Sequence, residues 1–212
     1  MRENYRRAAA LLGAEIDGCC VTRQVHGTQV RIVTSADKHV CMSTVPYEAD
    51  GIVTAEKGLP IFCFIADCVP VLLCDPAAGV IGAIHCGWRS SVGDILGVAV
   101  ENMRSLGARP AQIRAAIGPS IGACCFETDD DVPAAITAWL GSGNTDGLFV
   151  RRQDGKTMVD LRLANARRLC QLGVPVKNID LSDECTYCSH DKYWSHRYTR
   201  GRRGSQAAVI ML

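Results

Sequence analysis

The chain is poor in aromatic residues (6%) and in histidine (5 of 212 residues), and 23 Lys and Arg stand against 22 Asp and Glu, a net charge of +1. This balance removes the electrostatic footprint that wrapping duplex nucleic acid or coating an anionic membrane requires. Long apolar runs are missing as well. Ile61 to Ile65 and Val69 to Cys74 have only strand length and are interrupted by Asp67 and Asp75. A membrane-spanning helix needs roughly 20 apolar residues. The start, Met1-Arg2-Glu3-Asn4-Tyr5-Arg6-Arg7, is polar and leads into a short Ala/Leu stretch. It has neither the long apolar region nor the cleavage site of a signal peptide, so the cytoplasm is the expected compartment. No repeat of fixed period is visible.

Apolar residues make up 48% of the chain, enough for one domain of ordinary size to bury a continuous core. At 21%, charged residues are too few for a disordered or low-complexity chain. Cysteine is the abundant exception, with 12 residues at 19, 20, 41, 63, 68, 74, 86, 124, 125, 170, 185 and 188. A small secreted disulfide scaffold would be shorter and richer in loops. Cys63 and Cys74 fall in apolar strands and Cys170 in a helix, where a free thiol behaves as a small hydrophobe. Most of the thiols are therefore expected to be reduced core residues, with a few left for chemistry.

Periodicity predicts a helix over 4–13 and a strand–turn–strand over Cys19 to Thr34, with His26-Gly27-Thr28 at the bend. A short strand follows over Ala49 to Thr54. Strands over Pro60 to Ala66, Val69 to Cys74 and Val80 to Ile84 form the centre, the last two joined by the turn Asp75-Pro76-Ala77-Ala78-Gly79. One helix is expected over 88–106, with Ile95, Val98, Ala99, Met103 and Leu106 on its buried face and Gly107 as its stop. Beyond it the pattern gives a strand at Ile113–Ile117 and helices at Val132–Leu140 and Leu161–Leu172. Strands at Val176–Leu181 and Ala207–Leu212 complete the chain, and 141–157 reads as a surface excursion. Hairpins outnumber clean crossovers. The expected class is α+β, a mixed sheet with helices packed against it in a single domain.

Three segments place a ligand-type residue where a strand ends: Gln24-Val25-His26-Gly27-Thr28, Ala66-Asp67-Cys68-Val69-Pro70 and Ile84-His85-Cys86-Gly87-Trp88-Arg89. Such positions on a rigid scaffold are where functional groups usually reside. Cys68 and His85 flank a predicted hairpin and can meet without a long excursion. The separations, 68 − 26 = 42 and 85 − 68 = 17, match no compact zinc-finger pattern. Taken singly, His26 fits a solvent-facing turn, Cys68 a buried thiol, and His85 either packing or function.

The ordered set Gln-Val-His-Gly-Thr (24–28), Glu-Ala-Asp-Gly (48–51), Ala-Asp-Cys-Val-Pro-Val-Leu-Leu (66–73), His-Cys-Gly-Trp-Arg (85–89), Ala-Ile-Gly-Pro-Ser-Ile-Gly-Ala-Cys-Cys-Phe-Glu (116–127), Asp-Leu-Arg (160–162) and Cys-Thr-Tyr-Cys (185–188) resembles one family. It is the laccase-domain family of zinc-dependent multifunctional purine nucleoside phosphorylases. The resemblance implies a mixed α/β domain with zinc held by His26, Cys68 and His85. It also implies phosphorolysis of adenosine, inosine and methylthioadenosine, and hydrolytic deamination of adenosine. Purine nucleosides and phosphate are then the expected partners. Three N/S ligands leave a fourth position for water, the arrangement of a catalytic zinc, and such a water is a nucleophile near neutral pH.

Cys68, His85 and Arg89 are the expected catalytic groups. The Arg89 guanidinium offers a planar donor fork for phosphate, or a surface ion pair at a helix start. Asp67 reads as a turn cap more than as a proton shuttle, because strand alternation points it away from the side of Cys68. Cys185-x-x-Cys188 with His190 and His196 has the local spacing of a second metal site but lacks a second CxxC, and its cysteines read as packing residues. The run Gly118-Pro119-Ser120-Ile121-Gly122 before Cys124-Cys125 reads as a tight turn. Arg197, Arg200, Arg202 and Arg203 read as a solvated basic loop.

Compared with the family pattern, the chain lacks an N-terminal Thr-Thr-Arg-x-Gly-Gly strand and loop, has Ser90 in place of Gly, and has Ser205 where an arginine is common. Three further functions compete. A copper-dependent polyphenol oxidase would use the same His, His, Cys set. A Cys–His hydrolase would use Cys68 as nucleophile and His85 as base. A binding module would hold nucleosides without turnover.

Overall fold

Apolar runs without alternation belong in strands covered on both faces. The centre of the chain behaves this way in the computed structural model, which describes residues 2–38, 45 and 47–212. Cys41 lies outside those residues. The chain begins with α1 (Arg2–Leu11), β1 (Val30–Ile32), β2 (Gly51–Thr54), β3 (Ile61–Ile65), β4 (Val69–Asp75) and β5 (Val80–Cys86). Next come α2 (Trp88–Val92), α3 (Ile95–Ser105), β6 (Arg114–Ile117), β7 (Glu127–Thr128) and α4 (Asp131–Leu140). The last elements are β8 (Phe149–Arg151), β9 (Thr157–Val159), α5 (Leu161–Gln171), β10 (Ile179–Leu181) and β11 (Gln206–Ile210).

The main sheet has the order β1-β2-β5-β4-β6-β10. β1 pairs with β2, and β10 with β6, in parallel; the other neighbours are antiparallel. All seven residues of β5 are buried. Val80, Ile84 and Cys86 face the larger core with Ile95, Met103 and Leu169, while Ile81 and Ala83 face a second core with Cys20, Ile61 and Cys63. The antiparallel β3–β11 pair covers that second face. By the same alternation His85 points between the sheet and the β3–β11 pair. This mixed α/β architecture is the one the hydrophobic pattern predicts.

Four local expectations are corrected. The segment before His26 is no hairpin strand: it makes isolated parallel bridges, Cys20 to Ile61 and Arg23 to Glu48, and β1 pairs in parallel with β2. The helix expected over 88–106 breaks at Gly93-Asp94, where Asp94 has φ 69°. Its carboxylate takes two bonds from Arg168, at 2.7 and 2.6 Å, and one from Trp139 Nε1 at 3.1 Å, tying α3 to α4 and α5. The buried face of α3 is then Ile95, Leu96, Ala99, Val100 and Met103, and Val98 is exposed. Residues 141–157 are more than a surface excursion, since β8 and β9 form a hairpin that β7 extends to three strands. Cys170, expected to pack, is exposed, and Cys74 is half-buried.

The β4–β5 hairpin is closed by Asp75. Its Oδ1 accepts from the N–H groups of Ala77 and Ala78 and its Oδ2 from that of Arg109. β3 and β4 belong to different sheets, so the chain changes layer at Ala66-Asp67-Cys68. Asp67 makes that corner with φ 84°, a conformation costly for a non-glycine residue. Its Oδ1 accepts from Thr186 Oγ1 and its Oδ2 from the Arg197 N–H, both at 2.6 Å. Asp67, expected to cap a turn, instead ties this corner to segments more than a hundred residues away. No helix among the described residues is long and apolar enough to cross a membrane.

Candidate functional site

The layer change at Cys68, the end of β5 at His85 and the loop before β1 meet at one point. One ligand atom each from His26, Cys68 and His85 lies within 4.8 Å of the others. Cys68 Sγ is 3.7 Å from His26 Nε2, and the two imidazole rings stand edge-on at 80° with centroids 4.8 Å apart. Nitrogen and sulfur ligands at their usual zinc distances and tetrahedral angles stand roughly 3.6 Å apart. The donor set, with one soft sulfur and two imidazoles, suits a borderline-soft divalent ion. The residues therefore fit a metal.

A buried carboxylate that sequence reasoning left without a role organises the trio. Asp50 Oδ1 accepts from His85 Nδ1 at 2.8 Å and from the His26 N–H at 2.9 Å. Its Oδ2 accepts from the N–H groups of Gly27 at 2.8 Å and Val25 at 3.1 Å. One residue thus sets the tautomer of one ligand and the backbone of the other. Holding the proton on His85 Nδ1 leaves Nε2 free for a metal, the usual carboxylate–histidine arrangement. The same bonds hold His26 at φ 61°, in the left-handed region. The Glu48-Ala49-Asp50-Gly51 motif was visible in the sequence; that it faces both histidines was not. Gln24 fastens the His26 loop to β3, donating to the Phe64 carbonyl and accepting from the Phe64 N–H at 2.7 Å each.

The electrostatics follow from these contacts. Burial pushes the Cys68 thiol up, but the His26 and His85 imidazoles outweigh it and bring the value down to about 6. Burial also opposes charge on His85, and Asp50 and Cys68 overcome it, lifting His85 to about 9. Asp50 is held below the usual carboxylate range because the His85 bond and the backbone donors outweigh its burial. In metal-free protein, alkylation of Cys68 should already be fast at pH 7 and fall away below about pH 6, where the thiolate protonates. The rate of iodoacetamide labelling of Cys68 against pH, read by peptide mass, checks this. A midpoint near that of a free thiol would contradict it.

Space around the trio is tight on one side and open on the other. A Cβ at Gly87 would lie 2.9 Å from His26 Cδ2 and 3.4 Å from Cys68 Sγ. Gly87→Ala should therefore displace His26 and weaken metal binding by on the order of tenfold or more, with the far-ultraviolet spectrum unchanged. Chelator competition reads that loss. Two cavities open from the trio. One, of about 250 Å³, is lined by Gln24, Phe64, Arg203 and Ser205 beside the ligands. The other, of about 210 Å³, adds Trp88, Phe126, His196 and Arg197. A larger groove of about 690 Å³ runs past Arg114, Lys177 and Asp180, remote from the ligands. The converging ligands, not cavity size, mark the site.

Arg197 and Arg203 are exposed, as expected of a basic loop, and they also line the site. Arg197 donates to the Glu127 carbonyl at 3.2 Å from both Nη atoms, and Arg203 donates to Ser205 Oγ at 2.8 Å. Arg89 is exposed, with its guanidinium 4.3 Å above the Trp88 ring, and forms no part of either cavity wall. Neither histidine near the CxxC joins its cysteines: His190 stacks on Tyr198 at 3.7 Å, and His196 faces the cavity by Cys68. Cys185 and Cys188 gather instead with Cys124 and Cys125, a pair 60 residues away that the sequence pattern did not join to them.

The family described as multi-copper polyphenol oxidoreductase laccase matches residues 1–212. The chain belongs to this family. Among similar members, a protein of Deinococcus radiodurans named purine nucleoside phosphorylase is 39% identical over 210 residues, covering 99% of this chain and 76% of that one. A protein from an unknown prokaryotic organism, named adenosine deaminase RL5, is 36% identical over 193 residues, covering 89% and 73%. The crystal structure of YlmD from Geobacillus stearothermophilus superposes with a TM-score of 0.93 at 32% identity, covering 99% of this chain and 79% of that one. Within this laccase-like family the two enzyme names are nucleoside activities, in keeping with a site of one open metal-type trio beside two arginines.

Proposed function

We propose that the chain is a zinc-dependent purine nucleoside phosphorylase that also deaminates adenosine, with residues 1–212 acting as one domain. The observation that carries this reading is the convergence of His26, Cys68 and His85 on one point, aligned by Asp50, at the mouth of cavities holding Arg197 and Arg203. The names of the similar enzymes supply the substrate class. A zinc ion held by His26, Cys68 and His85 would supply Lewis acidity and a nucleophilic water near neutral pH.

The chain's own residues do the remaining work. Asp50 keeps the His85 proton on Nδ1 and so keeps the opposite nitrogen a donor to metal. Phe126 and Trp88 give the cavity an apolar wall that fits the face of a purine. Arg197 and Arg203 offer fixed donors to phosphate, and the Arg197 backbone is held in place by Asp67. His196, on the same wall, is in position to pass a proton to a leaving nitrogen through its imidazole. The exposed free thiol of Cys170 suits a reducing compartment, and the cytoplasm goes with this reading.

Chromatography of adenosine incubated with zinc-loaded protein tests the reading. Adenine and ribose 1-phosphate are expected when phosphate is present, and some inosine when it is left out. Unchanged adenosine in both would overturn it. The thiolate–imidazolium pair of Cys68 and His85 also suits a Cys–His hydrolase, which would work without metal and be stopped by alkylation. Copper in place of zinc would show as an intense thiolate charge-transfer band in protein purified without added metal.

A further inference from the structure

We propose that Cys124, Cys125, Cys185 and Cys188 form a second, structural zinc site, separate from the His26, Cys68 and His85 centre. The four sulfur atoms lie within 4.8 Å of one another, with Cys188 Sγ 3.4 Å from Cys125 Sγ and 3.7 Å from Cys124 Sγ. Four sulfur ligands at about 2.3 Å in a tetrahedron stand roughly 3.8 Å apart, so the thiols are already near the geometry of a closed Cys₄ site. Disulfides would need paired sulfurs at about 2.05 Å, well inside the 3.4 and 3.7 Å separations of Cys188 from Cys125 and Cys124.

A backbone donor and a buried cation stand beside the sulfurs. The Gly122 N–H donates to Cys185 Sγ at 3.2 Å. Position 122 is close-packed: a Cβ there would lie 3.1 Å from Arg162 Nη2 and 3.2 Å from both Cys124 Sγ and Cys185 Cβ. The buried Arg162 guanidinium therefore lies beside the cluster, where it offsets the net negative charge of four thiolates on a divalent ion. Arg162 Nη1 also donates to the carbonyls of Ser182 at 2.7 Å and Glu184 at 3.0 Å, fixing the loop that carries Cys185. Cys124 and Cys188 are exposed, which leaves an entry path for the ion, while Cys185 is buried.

The site would clamp two loops that reach the catalytic cavity from different parts of the chain. Phe126, next to Cys125, lines that cavity, and Thr186, next to Cys185, bonds to Asp67 beside Cys68. Such a clamp stabilises a fold outright, because the ion binds a geometry the unfolded chain lacks.

The test is metal content and thiol protection in the full chain. Protein prepared under reducing conditions with zinc and freed of loose ions should hold about two zinc ions, and the His26→Ala/Cys68→Ser double variant about one. In that variant Cys124, Cys125, Cys185 and Cys188 should resist N-ethylmaleimide until a chelator is added, as read by peptide mass. Cobalt loaded into the same variant should give strong thiolate charge transfer, which no longer has Cys68 as a source. The Cys185→Ser/Cys188→Ser variant should in turn lose one ion; should it not fold, the protection and cobalt results decide alone. Loss of all zinc in His26→Ala/Cys68→Ser, labelling of the four thiols despite zinc, or a disulfide among them under these conditions would overturn the site. Wild-type protein that holds both zinc ions yet leaves adenosine unchanged would refute the nucleoside reading and leave this one standing.

Discussion

Cys68→Ser should leave the His26–His85 centre without zinc and lower nucleoside turnover roughly a thousandfold or more. The substitution removes one of three protein ligands and replaces thiolate by a neutral hydroxyl, a poor partner for a borderline-soft ion. A zinc ion there would lower the pKa of a bound water, so the nucleophile would be lost with the ion. Metal analysis and adenosine turnover on the same preparation give the result. Turnover at the wild-type level with the centre empty would remove the metal from the mechanism. If the Cys124, Cys125, Cys185 and Cys188 site is real, this variant still carries an ion there, so total zinc falls rather than vanishes.

Asp50→Ala should have the second largest effect, although Asp50 touches neither metal nor substrate. The change leaves His85 Nδ1 and three backbone N–H groups without their acceptor in the protein interior. Breaking such a buried pair costs about 3–5 kcal/mol, and losing the carboxylate behind a metal-binding histidine weakens metal affinity about 10- to 100-fold. Asp50→Asn separates the two consequences. Its volume is nearly that of the aspartate, but its NH₂ group meets donors where acceptor oxygen is needed. Thermal melts of metal-free protein report the first loss and chelator competition the second. Wild-type zinc affinity in folded Asp50→Ala would reduce Asp50 to a packing residue.

The central strands were legible in the sequence because covered strands read as unbroken apolar runs; β5 is buried at every residue and β4 at all but Leu72 and Cys74. The turn between them was legible for the same local reason, since Asp75 bonds to the two N–H groups just after Pro76. Helix α5 and most of α4 also came from periodicity alone. The break between α2 and α3 did not, because it depends on Arg168 and Trp139 gathering around Asp94 from other helices. Nor did the β8–β9 hairpin, whose strands are three residues each and partly exposed, too short for alternation to register.

The same division runs through the site. His26, Cys68 and His85 stood out in the sequence as ligand-type residues within three short motifs, and the resemblance of the motif order to one family implied them as metal ligands. Sequence could not show that Asp50 bonds to two of their segments, that Arg197 and Arg203 line the cavity beside Cys68, or that Arg89 stays on Trp88 outside it. Each of these depends on where separate loops arrive, not on spacing along the chain. The four cysteines are the extreme case. Cys124-Cys125 and Cys185-x-x-Cys188 are local features of two loops 60 residues apart, and only the packing of those loops, through Ser120, Gly122 and Arg162, puts four sulfur atoms in one place.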